Sequence, residues 1–175
     1  LERKAIVWAA VVGSLYVGAE LMVSTRLTLF ARRDWGYSPE KANQLLGFFF
    51  TSLFLGRLIM AVTRLSVRNR TLLVGSLVGT ILLFVLGIFI NPVYLALTGG
   101  AMSIFFPVLL SLIAEEFSQI QAEATRWLLT INSLVLMGMH FVVGQLSDAF
   151  GLKLALNLGP LMLGLSLGAL LFVKI

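Results

Sequence analysis

The chain has no cysteine and one histidine, which removes a disulfide framework, a thiolate metal site and a histidine-built zinc cage. Charge is nearly as scarce. Only 12% of the 175 residues are charged, against 59% hydrophobic, and the mean hydropathy of +0.99 is too high for the surface of a water-soluble domain. The net charge of +5 does not imply nucleic-acid binding, because the Lys and Arg residues are scattered singly and in pairs between apolar runs. With one histidine there is no His-Glu-x-x-His element. An intramembrane serine protease would need a nucleophilic serine within reach of a histidine base, and the chain reads as a non-enzyme without a cofactor.

What the sequence has instead is long apolar runs. They fall at about 5–30, 42–63, 71–90, 92–114, 124–146 and 152–173. A span needs roughly 20 apolar residues to cross about 30 Å of hydrocarbon, so the expectation is one all-α membrane domain of six transmembrane helices over residues 1–175. Residue 1 is Leu, and the first run is too long for a signal-peptide core, so it reads as a mature span. Counting basic residues with the amino terminus inside gives Arg3, Lys4, Arg64, Arg68, Arg70, Arg126 and Lys174 on one side. Arg32, Arg33, Lys41 and Lys153 lie opposite, and seven against four places both termini in the cytoplasm of an inner or plasma membrane. Trp8, Trp35, Tyr37, Tyr94 and Trp127 lie near span ends as interface anchors.

Glu20 is the sharpest feature, since it sits near the middle of the first run with no Lys or Arg at helical spacing. An ionised group there costs about 2.5–3.5 kcal/mol or more unless it is compensated. Tyr16, Glu20, Ser24 and Thr28 recur every four residues on one helix face. Two readings follow: a cavity wall in which Glu20 grips solute hydroxyls or carries a proton, or a carboxyl satisfied by Arg57 or Asn132 of another helix. Gln44, Gly47, Thr51 and Phe54 form a weaker stripe, and Thr130, Ser133, Met137, His140 and Gly144 share a face of the fifth span. His140 is a second proton-carrying candidate. Gly75-x-x-x-Gly79 and Gly164-x-x-x-Gly168 are expected to pack helices closely, and Pro107 and Pro160 to break or kink theirs.

Three stretches together carry a family resemblance. Tyr16-Val17-Gly18-Ala19-Glu20 is followed by Tyr37-Ser38-Pro39 and Gly47-Phe48-Phe49-Phe50; Gly56-Arg57 precedes the basic 64–70 loop; and Met102-Ser103-Ile104-Phe105-Phe106-Pro107 comes before Gly144-Gln145-Leu146-Ser147-Asp148. In order and spacing the chain resembles the carboxyl-terminal six-helix half of the major facilitator superfamily, most closely its fucose:proton symporter group. The resemblance implies a sugar carried by alternating access, with a proton or sodium as coupling ion. It implies a solute site drawn from Tyr16, Glu20, Ser24, Gln44, Thr51, Ser103, Phe106, Asn132, Ser133 and His140. A cytoplasmic gate would use Gly56, Arg57, Arg64 and Arg68 against Glu115 and Glu116. In the fifth span the chain departs from the family, with Met137-Gly138-Met139-His140 where similar transporters carry glycines and a proline. Members of the family have about twelve helices in two halves around a midplane site, so a second six-helix half is expected, as a homodimer or a partner chain. The rival readings are the substrate-binding membrane subunit of an energy-coupled vitamin importer and a non-transporting scaffold or sensor on the same fold.

Overall fold

The computed structural model describes residues 2–63 and 67–172, with side chains from residue 5 onward. Arg64, Lys174 and the side chains of Arg3 and Lys4 therefore lie outside the described residues. The described chain is helical: α1 (Glu2–Arg33), α2 (Pro39–Val62), α3 (Asn69–Phe89), α4 (Val93–Met102), α5 (Phe105–Glu116), α6 (Gln121–Phe150), α7 (Leu152–Leu156) and α8 (Leu158–Phe172). These form six stretches long and apolar enough to cross a membrane, with α4–α5 and α7–α8 each counting as one. The chain is thus built as an integral membrane protein, in which helices satisfy their own backbone groups where no water can.

Two spans are broken, each for the same reason. A proline lacks an N–H, and its ring collides with the carbonyl four residues back. Pro107 rejects Ser103, and the fourth span breaks at Ser103–Ile104; Pro160 rejects Leu156, and the sixth breaks at Asn157. Asn157 Nδ2 donates to the carbonyls of Lys153 at 3.0 Å and Leu154 at 3.4 Å, partly replacing what the second break removes. Two junctions show recognisable end signals. Ser38 accepts from the Lys41 N–H ahead of Pro39, and Gly151, at φ 87°, is the single residue between α6 and α7.

Contacts at the two ends show that successive spans alternate in direction. Tyr37 donates to Asn91 Oδ1 at 3.1 Å, and Lys153 lies 5.5 Å over the Phe89 ring at one end. At the other, Asn69 donates to Glu115 at 3.1 Å, while Arg70 Nη2 donates to the carbonyls of Leu170 at 3.1 Å and Leu171 at 3.0 Å. The cation thereby meets carbonyls in the last described turn of α8, toward the negative end of the helix dipole.

Helix α1 is the hub, packed against α2, α4, α6 and α8, and 61% of its apolar window is buried. For α2 and α6 the corresponding figures are 11% and 17%, so these two helices turn most of their surface outward. The glycines that permit close packing are not the expected pairs. Gly75, Gly164 and Gly168 face open space and Gly79 only approaches Ala101, whereas Gly56 lies directly against Ser103 and Gly99 against the Phe49 carbonyl and Ser52 Oγ. Spacing alone put the small residues on one face of each helix without saying whether a neighbour lies there.

Gly99→Ala forces a methyl against the rigid Phe49 backbone and is expected to cost about 1–3 kcal/mol. Gly164→Ala, in open space, should be neutral or slightly stabilising. Thermal unfolding of the two variants in detergent, compared with the wild type, checks this ordering.

Candidate functional site

The two glycines on the α2–α4 seam set up the polar centre. With no β-carbon at Gly56 or Gly99, α2 comes close to the end of α4, and the residue after Gly56 is delivered to the middle of α1. That residue is Arg57. Its Nη2 donates to both Glu20 oxygens, at 2.9 Å to Oε1 and 2.8 Å to Oε2. Among the described residues this is the one ion pair within 4 Å, with the Arg57 side chain 37% and the Glu20 side chain 14% exposed. Glu20 thus has a partner on another helix, and that partner is Arg57 rather than Asn132. Asn132 Oδ1 is buried and has no hydrogen-bond partner among the described groups.

Tyr16 joins the pair to the broken fourth span. Its hydroxyl lies 2.7 Å from Glu20 Oε2 and 2.5 Å from the Met102 carbonyl, and its ring stacks on Phe105 with centroids 4.1 Å apart. A phenol has one proton, so these two acceptors share a single donor. Met102 lies at the helix end created by the Pro107 break, and its carbonyl is free to take a side-chain donor. The Ser103 hydroxyl turns back to the Gly100 carbonyl at 2.7 Å. Carboxylate, guanidinium, phenol and a broken-helix carbonyl thus meet where α1, α2 and α4 converge.

The remaining predicted site residues are dispersed around this centre. Ser24 is half-buried and donates to its own helix at Leu21, Phe106 is half-buried on α5, and Gln44 and Thr51 stand exposed on α2. Ser133 and His140 are exposed on α6, with the Ser133 hydroxyl bonded back to Leu129. The predicted gate set is divided. Gly56 and Arg57 belong to the centre, because Arg57 meets Glu20 and not Glu115 or Glu116. Arg68, Glu115 and Glu116 line a separate cleft of about 330 Å³ at the end of the bundle, with Arg70 and Asn69.

Three features escaped the sequence reading. Arg26, six residues after Glu20 on α1, is half-buried with its Nε buried and unpartnered among the described groups; a basic residue inside the first apolar run was its signal. The Met102 carbonyl lies one residue before Ser103, the residue whose carbonyl Pro107 leaves without a donor, and nothing in the sequence indicates that Tyr16 reaches it. The third feature is the string Gly164-Leu165-Ser166-Leu167-Gly168, which has the Gly-x-Ser-x-Gly spacing of a hydrolase nucleophile. Here Ser166 lies within α8, fully buried, and its hydroxyl donates to the Val12 carbonyl at 2.9 Å. That bond ties it to packing against α1, and the strand-to-helix turn that presents a catalytic serine is absent among the described residues.

Compared with known proteins, the chain matches no family model and no curated sequence.

If the pair acts as a unit, Arg57→Gln leaves Glu20 as a carboxylate without a countercharge and should cost about 1–3 kcal/mol, the exposure of Arg57 limiting the loss. Glu20→Gln with Arg57→Gln should recover much of it. A double-mutant cycle on unfolding midpoints checks the coupling.

Proposed function

We propose that the chain is one six-helix half of a secondary transporter resembling the major facilitator superfamily, moving a small hydroxylated solute of the sugar class by alternating access. The observation that carries this reading is the Glu20–Arg57–Tyr16 centre at the midpoint of α1. Ionisable side chains held at that depth are costly, and they mark solute and ion pathways more often than scaffolding. In transporters of this class the solute binds near the midplane, next to discontinuous helices whose freed backbone groups face the site. The Pro107 break and the Met102 carbonyl supply such a neighbour.

The outward faces of α2 and α6 bear on assembly. They carry Gln44, Thr51, Thr130, Ser133 and His140 among apolar residues, and polar groups of this kind are poorly suited to lipid. A second six-helix half, a copy of this chain or a partner, would cover these faces and form the opposite wall of a solute site at the exposed edge of Arg57. Alternating access would then be a rocking of the two halves about the centre, with Arg68, Glu115 and Glu116 at the cytoplasmic edge. Glu20 is the proton carrier of this reading, since its protonation would weaken the hold on Arg57 while leaving Tyr16 an acceptor oxygen. His140 is the alternative.

Reconstituted into proteoliposomes, the protein should show solute uptake that rises with an imposed pH gradient. Glu20→Gln cannot titrate, so its flux should lose the gradient dependence while solute exchange survives. Absence of any solute flux would favour the scaffold reading.

Orientation gives a second test. With no native cysteine, introduced ones are the only thiols. Both Val67 and Asp34 are exposed. A cysteine at Val67 should be protected from an impermeant thiol reagent in intact cells and one at Asp34 should react; the reverse pattern would invert the topology and move the Arg68 cleft outside.

A further inference from the structure

The interior of the spans has more cationic than anionic charge. Glu20 is the one carboxylate at mid-depth, against two guanidiniums inside the spans: Arg57, in contact with it, and Arg26, six residues or about 9 Å farther along α1 and on another face of that helix. The other Lys, Arg, Asp and Glu side chains of the spans stand close to helix ends, where they reach headgroups and water. The other titratable groups at comparable depth are Tyr16, whose hydroxyl is shared between Glu20 and Met102, and His140, which faces outward on α6.

Donor counting points the same way. A guanidinium has five N–H donors and no acceptor. Arg57 uses one nitrogen, Nη2, for both oxygens of Glu20, while its Nε is buried and has no partner among the described groups. Arg26 Nε is buried and unpartnered as well. At the centre Arg57 therefore has guanidinium donors left over after Glu20 is bound, and with Arg26 the interior of the spans carries more positive than negative charge. A neutral polyol brings donors and acceptors together through each hydroxyl and leaves the imbalance as it is. An oxyanion brings acceptors and a negative charge, and it matches the planar fork of a guanidinium.

On these grounds, and resting on the transport reading above, we infer that the solute is a small organic oxyanion, a hydroxylated carboxylate or phosphate, which binds Arg57 in place of Glu20. Accessibility favours this direction of exchange. Arg57 is the more exposed member of the pair, 37% against 14%, so an incoming ligand meets the cation first. Glu20 stays within reach of the Tyr16 hydroxyl when Arg57 is engaged by the ligand. The hydroxyls of such a solute would still find the Glu20 oxygens, so an acidic sugar satisfies both the oxyanion requirement and the sugar reading.

The sign of one mutational effect tests the inference. The protein, purified in its own assembly, is titrated with a hexuronate, a hexose phosphate and the matching neutral hexose, read by thermal shift and calorimetry. Binding of the hexuronate or the hexose phosphate is expected without binding of the hexose, and the stronger of the two tells carboxylate from phosphate. Glu20 competes with the anion for Arg57, so Glu20→Gln should tighten anion binding about tenfold. Arg57→Lys keeps the charge but loses the fork and should weaken it about tenfold, a readout that stands even if Glu20→Gln does not fold. Binding of the neutral hexose alone, weakened by Glu20→Gln, would overturn the inference and leave the transport reading intact. No binding and no proteoliposome flux of any of the three would overturn both.

Discussion

Everything at the centre of this bundle follows from placing a carboxylate in hydrocarbon. Glu20 stands midway along the most buried helix, and the medium offers it no water. Arg57 provides the countercharge from the next helix, and Tyr16 the hydrogen bond. To bring Arg57 that far in, α2 must approach α4 without side chains between them, which is why Gly56 and Gly99 face the α2–α4 seam. To give Tyr16 a second acceptor, the fourth span must end early, which Pro107 enforces. Charge compensation, close helix packing and helix breaking are thus three parts of one arrangement.

That arrangement was only partly legible in the sequence. Six spans could be read because apolar runs of that length have no other stable setting, and the observed helices extend the runs by a few residues into the turns. The first run, read as 5–30, continues to Arg33; the fifth, read as 124–146, extends over Gln121–Phe150. Polar residues at a helix end still hydrogen-bond within the helix, and apolarity does not register that. The breaks at Pro107 and Pro160 were legible because proline acts on its own helix. The Glu20–Arg57 pair was open as one of two readings, since it joins residues 37 apart on different helices and depends on how closely those helices approach.

Glycine spacing misled for a related reason. Gly-x-x-x-Gly marks a smooth helix face, but whether another helix occupies that face is a property of the whole bundle. Gly164 and Gly168 look outward, while glycines outside that spacing, Gly56 and Gly99 among them, lie against neighbouring helices. Likewise the basic residues after Arg57 suggested one gate. Arg70 instead donates to the carbonyls of Leu170 and Leu171 on α8, and Arg57 turns inward to the carboxylate. Charge sign could be read from the sequence, but depth and direction could not.

The separation of the ion pair along the chain has a consequence for biosynthesis. Glu20 leaves the ribosome 37 residues before Arg57, a delay of about 2–7 s at 5–20 residues per second. During that time α1 is an apolar helix carrying a carboxylate with no countercharge, a poor substrate for release into lipid. By that penalty α1 together with α2, with Glu20 and Arg57 in contact, is better suited to lipid than α1 alone.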